Sequence, residues 1–459
     1  MIFLITGSLG CGKPEERAFK KGLNFLIDKK DYKSAATEFN KVVELNPQNA
    51  EAHGNLGIAL DELGEREKAM TEYERAIQID PGYARGYYNL GLVLFRQGKL
   101  SDAEEKYKKA LLLDPKNPMV YNALGNLYSE LMLRSDSSEL MVAAGFSLRY
   151  KEQALDSFKK GLILAPKDTD LLNNLAIFYS ETGETEKAIE TFQKVLKINP
   201  EDVVALHNLS FVYKKEAEPE KAIETLKEAA KINPEDINLC YQLGITYKDE
   251  KKYEKAISEF KKVLGKRKDV EVYLNLGYCY LGAGEIEKAM EVYREAEALD
   301  PNNSTVYNSI GAIYYSSGEM EKAIEEYKKA ISLRPNFSLA YFNLGDAYKS
   351  LGKENEAIES YKKSIAIDPY RTGVYNQLGS IYSSNKEYDK AISLYKRYFA
   401  LMEKIGSQKE TYLIHYNLAN VYRKKGLKDK AIEEYEEVIK LNPEDELAKV
   451  SRHLIKSLK

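Results

Sequence analysis

The chain has 459 residues, 30% of them charged, yet its formal net charge is only −3, so both signs are mixed along it. That balance excludes a basic nucleic-acid footprint and an acidic tail as organising features. Three cysteines at unrelated spacings (Cys11, Cys240, Cys279) and four histidines exclude a zinc framework and a disulfide scaffold.

The chain opens on MIFLITGSLGCGK, residues 1–13, in which Ile2 to Gly10 is an apolar run. Gly7 to Lys13 has the spacing of a phosphate-binding loop, in which glycines free backbone N–H groups for phosphate. Pro14 stands where such a loop needs Ser or Thr for magnesium, and it biases Lys13 towards extended backbone, so a P-loop is not expected. Ser8-Leu9-Gly10-Cys11 resembles the bacterial lipobox, with Cys11 as the lipidated first residue of a mature chain and a polar tether (Lys13, Glu15, Glu16, Arg17) after it. It departs from that pattern in two ways: Leu9 sits one place late, and no Lys or Arg precedes the apolar run. A start codon assigned too far downstream would account for the second departure. The run is too short to span a membrane. The resemblance implies a bacterial lipoprotein of the cell envelope, attached to membrane only through Cys11. The alternative is an uncleaved apolar terminus on a cytoplasmic protein.

Beyond residue 15 the sequence repeats. AEAHGNLGIALDELGEREKAMTEYERAIQIDPGY, from Ala50, lies over ARGYYNLGLVLFRQGKLSDAEEKYKKALLLDPKN, from Ala84, with a period of 34. Further repeats (numbered 4 to 12) start at Pro118, Thr169, Val203, Ile237, Val270, Ser304, Ser338, Thr372 and Tyr412. Position 8 is small (Gly57, Gly91, Gly125, Ala176, Ser210, Gly244, Gly277, Gly311, Gly345, Gly379, Ala419) and position 20 is alanine (Ala69, Ala188, Ala323, Ala431 among others). Small residues at both places let two helices cross closely. Positions 11 and 24 are mostly Tyr or Phe and supply large apolar area, so these tyrosines are expected mainly in the core. Pro at position 32 removes a donor and restricts the residue before it, which ends the second helix.

This pattern resembles the tetratricopeptide repeat over residues 16–445. The resemblance implies an all-α, right-handed α-solenoid (superhelix) of about twelve helix-turn-helix hairpins, helix A followed by helix B, with a C-terminal capping helix. No hairpin buries its apolar face alone, so stability accumulates by stacking. The expected organisation is an apolar segment at 1–15, the solenoid at 16–445 and the cap at 446–459. Repeat 1 is off register, because Gly22 arrives one residue early for a helix B that ends at Pro47. Repeat 4 carries about 17 extra residues near 131–150, which either contact a partner or lengthen its two helices. Repeat 7 is one residue short, with Lys268 in place of proline, and repeat 11 has about six extra residues near 402–410. In the cap, Leu447, Val450, Leu454 and Leu458 form the expected apolar stripe, with Lys449, Arg452, Lys456 and Lys459 on the wet face. Cys240 and Cys279 fall at helix A packing positions, and two free thiols are less usual in an exported protein.

In the family the A helices line the concave side, which implies that binding residues sit at positions 2, 5, 6, 9, 12 and 13 of helix A. Position 6 reads Asn55, Asn89, Ala123, Asn174, Asn208, Gln242, Asn275, Ser309, Asn343, Gln377 and Asn417. A primary amide carries donors and an acceptor, so a ladder of amides can pair with the backbone of an extended peptide whatever its side chains. The repeats of O-GlcNAc transferases hold peptides in this way and the pattern is similar to theirs; the other reading is that Asn is simply part of the repeat consensus. Repeats 8 to 11 add Tyr278, Asn308, Tyr315, Phe342 and Asn376, few of them charged, and a peptide is expected to dock there. Acidic residues (Glu51, Asp61, Glu62, Glu130, Asp170, Glu181) instead mark repeats 2, 4 and 5, while Lys214, Lys215, Arg423 and Lys424 are basic. Lys20, Asn24, Asn55 and Arg85 superficially match the carboxylate clamp of the family's co-chaperones, but Gly22 puts the first two out of phase and Asn89 stands where a base belongs.

No catalytic set, metal or cofactor is expected: His53, His207, His415 and His453 are scattered, and Asp and Glu alternate with Lys as solvated pairs. A glycosyltransferase domain after the cap is likewise not expected. The expected function is a non-catalytic scaffold whose partners are other proteins or peptides, not nucleic acid. The alternatives are an accessory of a glycosyltransferase or of an envelope or secretion assembly, and a self-assembling structural array.

Overall fold

A computed structural model of the chain describes residues 13–136, 141–407 and 411–459, except the side chains of 136 and 141–144; Cys11 lies outside the described residues. Among the described residues there are 25 α-helices, one π-helical turn and no strand. The chain divides into two compact units, Met1–Glu235 and Asp236–Lys459, the first holding repeats 1 to 6 and the second repeats 7 to 12 with the cap. Each unit is a stack of helical hairpins, and the fold is an all-α solenoid.

The hairpin follows from the repeat residue by residue. In repeat 2, helix A is Ala50–Glu62 and helix B is Arg66–Ile79. Helix A starts on an Asx cap at position 34 of the preceding repeat: Asn49 Oδ1 accepts from the Ala52 N–H at 2.9 Å, and Asp202 does the same for Ala205 at 2.9 Å. The turn between helices requires a left-handed residue at position 15. Glycine supplies it at Gly64 (φ 80°), whereas Ala217 (φ 56°), Lys251 (φ 55°) and Lys386 (φ 63°) hold it against their side chains. Helix B ends where Asp80, just before Pro81, turns extended (φ −125°, ψ 96°).

Packing across the hairpin matches the sequence expectation. A Cβ at Gly57 would stand 2.6 Å from the Tyr73 ring and one at Gly311 would stand 2.7 Å from Tyr327, so glycine at position 8 makes room for the aromatic at position 24. That aromatic is sealed throughout: Tyr73, Tyr107, Phe158, Phe192, Tyr293, Tyr327, Tyr361, Tyr395 and Tyr435 are at most 2% exposed. Each such burial contributes about 1.5–3 kcal/mol. Position 11 divides: Tyr128, Tyr280 and Tyr422 are buried, while Tyr179, Tyr213 and Tyr314 are only partly covered. Over these rings sits a clip. Lys187 Nζ lies 5.5 Å from the Tyr179 ring centre and 2.6 Å from Glu184, and Lys390 repeats this with Tyr382 (5.7 Å) and Glu387 (2.8 Å). Lys221, Lys288 and Lys322 make the same clip.

The irregular repeats are accommodated locally. In repeat 1 the π-helical turn Asn24–Asp28 absorbs the extra residue, so that Gly22 still packs on Phe39, 2.8 Å from a hypothetical Cβ to the ring. The insertion in repeat 4 lengthens both helices, to Pro118–Asp136 and Met141–Leu164, and Phe146, Tyr150 and Tyr128 stack along them with centroids 6.5 and 6.3 Å apart. Repeat 11 extends helix B to Tyr388–Lys404. The cap is the helix Glu446–Leu458, with one correction to its stripe: Ala448, Ser451 and Ile455 are the buried residues, Leu454 and Leu458 flank them, and Val450 is 41% exposed. Cys240 and Cys279 are buried free thiols, and burial pushes the Cys279 thiol up to about 11.

No helix among the described residues is long and apolar enough to cross a membrane. Among them, too, no group of His, Cys, Asp and Glu could hold a metal ion. His53 and His415 are tied to Glu72 and Glu434 at 2.6 Å each, as struts from helix A to helix B.

Candidate functional site

Within each unit, side-chain hydrogen bonds run from helix A to helix A of neighbouring repeats, so the inner positions form a polar seam. Asn343 Nδ2 donates to Asn308 Oδ1 (3.0 Å), Asn417 to Asn376 (2.8 Å) and Asn174 to Asn122 (2.9 Å). Each bond joins position 6 to position 5 of the repeat before, a pairing that sequence reasoning missed together with Asn122 itself. The signal was an amide at position 5 followed by an amide at position 6 of the next repeat. Each pair uses one N–H and one oxygen of amides that carry two donors and an acceptor apiece.

A second link runs from position 12 to position 6 of the following repeat. Lys248 Nζ donates to Asn275 Oδ1 and Lys349 Nζ to Gln377 Oε1, both at 2.7 Å. Asn275 and Asn208 turn their Nδ2 groups to carbonyls of their own helices, Glu271 O and Val204 O, at 3.0 Å. Gln242 is partly buried. In repeats 2 and 3 the amides lie beneath the surface: Asn55 is 1% and Asn89 8% exposed, and neither amide atom of Asn55, nor Nδ2 of Asn89, has a partner. Of the clamp-like set, Asn24 donates to Asp28 at 2.7 Å and so is held within its own helix.

The aromatic candidates differ in accessibility. Tyr278 is 54% exposed. Tyr315 is partly covered, its hydroxyl 3.3 Å from Ser350 Oγ, and Phe342 packs its ring 6.0 Å from Tyr361. Phe211, at the same position 9 as Tyr278, is 63% exposed and was not singled out from the sequence.

Two clefts open beside these exposed rings. In the second unit a cleft of about 580 Å³ is lined by Lys248, Asp249, Lys251, Leu274, Asn275, Tyr278, Tyr293, Thr305 and Ser309. In the first unit a cleft of about 270 Å³ is lined by Ile177, Ser180, Glu181, Phe192, His207, Asn208, Phe211 and Val212. Their charges differ. The cleft wall and the neighbouring Glu130 charge push the Glu181 carboxyl up from its ordinary value. Further along the second unit, burial pushes the Asp346 carboxyl up although the Tyr361 hydroxyl donates to it at 2.6 Å. Concave, partly apolar and edged by amides and charges, such clefts can hold side chains of an extended chain.

Family models described as TPR repeat and tetratricopeptide repeat match residues 24–131, 169–265 and 277–444 between them. A search of curated proteins returned no match. Similar solved structures include MamA (28% identity over 38% of this chain and 96% of that one, TM-score 0.33). The Cut9–Hcn1 hetero-tetramer of the APC/C is 18% identical over 97% of this chain and 96% of that one (TM-score 0.42). Yeast Tom70 is 15% identical over 97% and 95% (TM-score 0.41). With more than half of its length matched by these models, the chain belongs to the tetratricopeptide-repeat family of protein-interaction scaffolds.

Proposed function

We propose that the inner, A-helix face of the second unit holds an extended polypeptide segment, without catalysis, along repeats 8 to 11. The observation that carries this reading is the seam of amides from Asn275 through Asn308, Asn343 and Gln377 to Asn376 and Asn417, which ends at the exposed Tyr278 and its open cleft. Asn308 is buried and serves as the acceptor that fixes Asn343, while the accessible amides, fixed by one bond and so pre-organised, keep donors and acceptors that meet a peptide backbone at little entropic cost. Extended peptides suit such a seam because their N–H and C=O groups alternate in direction.

The test is a triple substitution, Asn275→Ala, Asn343→Ala and Gln377→Ala, with binding of fluorescein-labelled peptides of about a dozen residues followed by anisotropy. Three hydrogen bonds at about 1 kcal/mol each correspond to about a hundredfold weaker binding. Unchanged affinity rejects the proposal.

A further inference from the structure

We infer that the cleft beside Tyr278 selects an acidic stretch of polypeptide, seating a side-chain carboxylate against Lys248 and Lys251 and a neighbouring apolar side chain against Leu274 and Tyr278. The inference rests on the peptide-holding reading above and adds the chemistry of the partner.

The first support is how the inner lysines are bonded. Along the B helices, lysine at position 19 sits on a glutamate three residues earlier, as in Lys187 on Glu184 and Lys390 on Glu387. The inner lysines of the second unit sit instead on neutral oxygens: Lys248 on Asn275 Oδ1 (2.7 Å), Lys349 on Gln377 Oε1 (2.7 Å) and Lys424 on Ser383 Oγ (3.2 Å). An amide oxygen orients an ammonium without neutralising it, which leaves its charge for a ligand.

The second support is the local charge balance. The cleft lining carries two ammonium groups, Lys248 and Lys251, and one carboxylate, Asp249. Of the other carboxylates on this unit's inner positions, Glu271 accepts from the Tyr241 hydroxyl at 2.6 Å and Asp346 from the Tyr361 hydroxyl at 2.6 Å. A positive cleft with apolar walls focuses its field on an incoming anion. The third support is Tyr278, a large aromatic 54% exposed at the cleft rim, where a partly apolar partner would cover it.

The experiment uses the full chain and two labelled peptides of about a dozen residues, one alternating Glu with Leu and one alternating Gln with Leu. A single charge-assisted hydrogen bond gives about tenfold discrimination, so the Glu peptide is expected to bind at least tenfold tighter at low salt. That preference should shrink in about 0.5 M salt, where screening is strong, a readout that needs no variant. The double variant Lys248→Met with Lys251→Met should reduce the ratio to near one, and Tyr278→Ser should weaken both peptides. Equal binding of the two peptides overturns the acidic-partner inference and leaves the peptide-holding reading standing; failure of both peptides overturns both. Displacement of the Glu peptide by single-stranded RNA of equal length, unaffected by Tyr278→Ser, would replace a polypeptide partner with a phosphate backbone and likewise overturn it.

Discussion

The clefts beside Phe211 and Tyr278 share a plan and differ in sign. In each, an aromatic at position 9 is exposed (63% and 54%), a helix B aromatic is sealed beneath (Phe192 of the preceding repeat in one, Tyr293 of the same repeat in the other), and the end of helix A in the preceding repeat supplies the charge: Glu181 in one, Lys248 in the other. They also differ in size, about 270 against 580 Å³. Ser309 accounts for part of this, because it puts a short side chain at position 6, where most repeats carry an amide. The lesson is a division of labour: positions 8, 20 and 24 build the hairpin, and positions 6, 9, 12 and 13 can change sign and volume without disturbing it.

The comparison is broken most severely from below. Phe192→Ala and Tyr293→Ala should each destabilise their unit by about 3–5 kcal/mol, as buried aromatic truncations do, read from urea denaturation followed by circular dichroism. A loss below about 1 kcal/mol in either would deny that the two floors are equivalent. Next comes Gly277→Val, which forces atoms into the Tyr293 ring and should cost about 1–3 kcal/mol by overpacking; the corresponding Ala176 and Ser210 already carry a Cβ. At the turns, Ala217→Gly should stabilise the first unit by about 1 kcal/mol by relieving a left-handed alanine, and Gly284→Ala should do the reverse in the second. Melting temperatures of the two variants that move in the same direction would contradict this.

Phe211→Ser and Tyr278→Ser are the sharpening pair. With both rings mostly in solvent, stability should change by no more than about 0.5 kcal/mol while peptide binding at the substituted cleft falls, so the two readouts separate core from site. The smallest effect belongs to Glu181. Its carboxyl is raised on folding, so the charged form is penalised in the folded state; stability improves as pH falls through the raised value and stops improving below the unfolded one. Glu181→Gln should therefore be slightly more stable than the parent at pH 7, by well under about 1 kcal/mol given solvent screening, and the difference should close towards pH 4. A gap that widens on acidification would contradict the sign.

The period of 34 was enough to locate nearly every helix, because Gly57, Ala69, Tyr73 and their counterparts report close packing that only certain residue sizes allow. The slip at Gly22 was visible as one residue too many, but its remedy, a π-helical turn at Asn24–Asp28, was not, since several local distortions absorb one residue equally well. The site was legible only as a set of inner positions. That Asn343 would reach Asn308 while Asn55 has no partner depends on the rotation of one helix A against the next, which the repeat fixes only to within a few ångströms. Nor did the lysines stand out, because Lys248 and Lys349 differ from the abundant surface lysines in what they touch rather than in composition.

The sealed aromatic at position 24 has a consequence in alkali. Tyr73, Tyr107, Tyr293, Tyr327, Tyr361, Tyr395 and Tyr435 all have phenols raised above their ordinary value of 10 by burial. An unfolded chain releases these protons near pH 10 and the folded one retains them, so every unit of pH above that point subtracts stability once per tyrosine-bearing repeat. With no tryptophan to mask it, the ultraviolet band of tyrosinate becomes a spectroscopic record of hairpins opening. Of the 35 tyrosines it is the sealed ones that are tied to the fold, so in strong base their share of the tyrosinate signal should arrive together with the loss of helix.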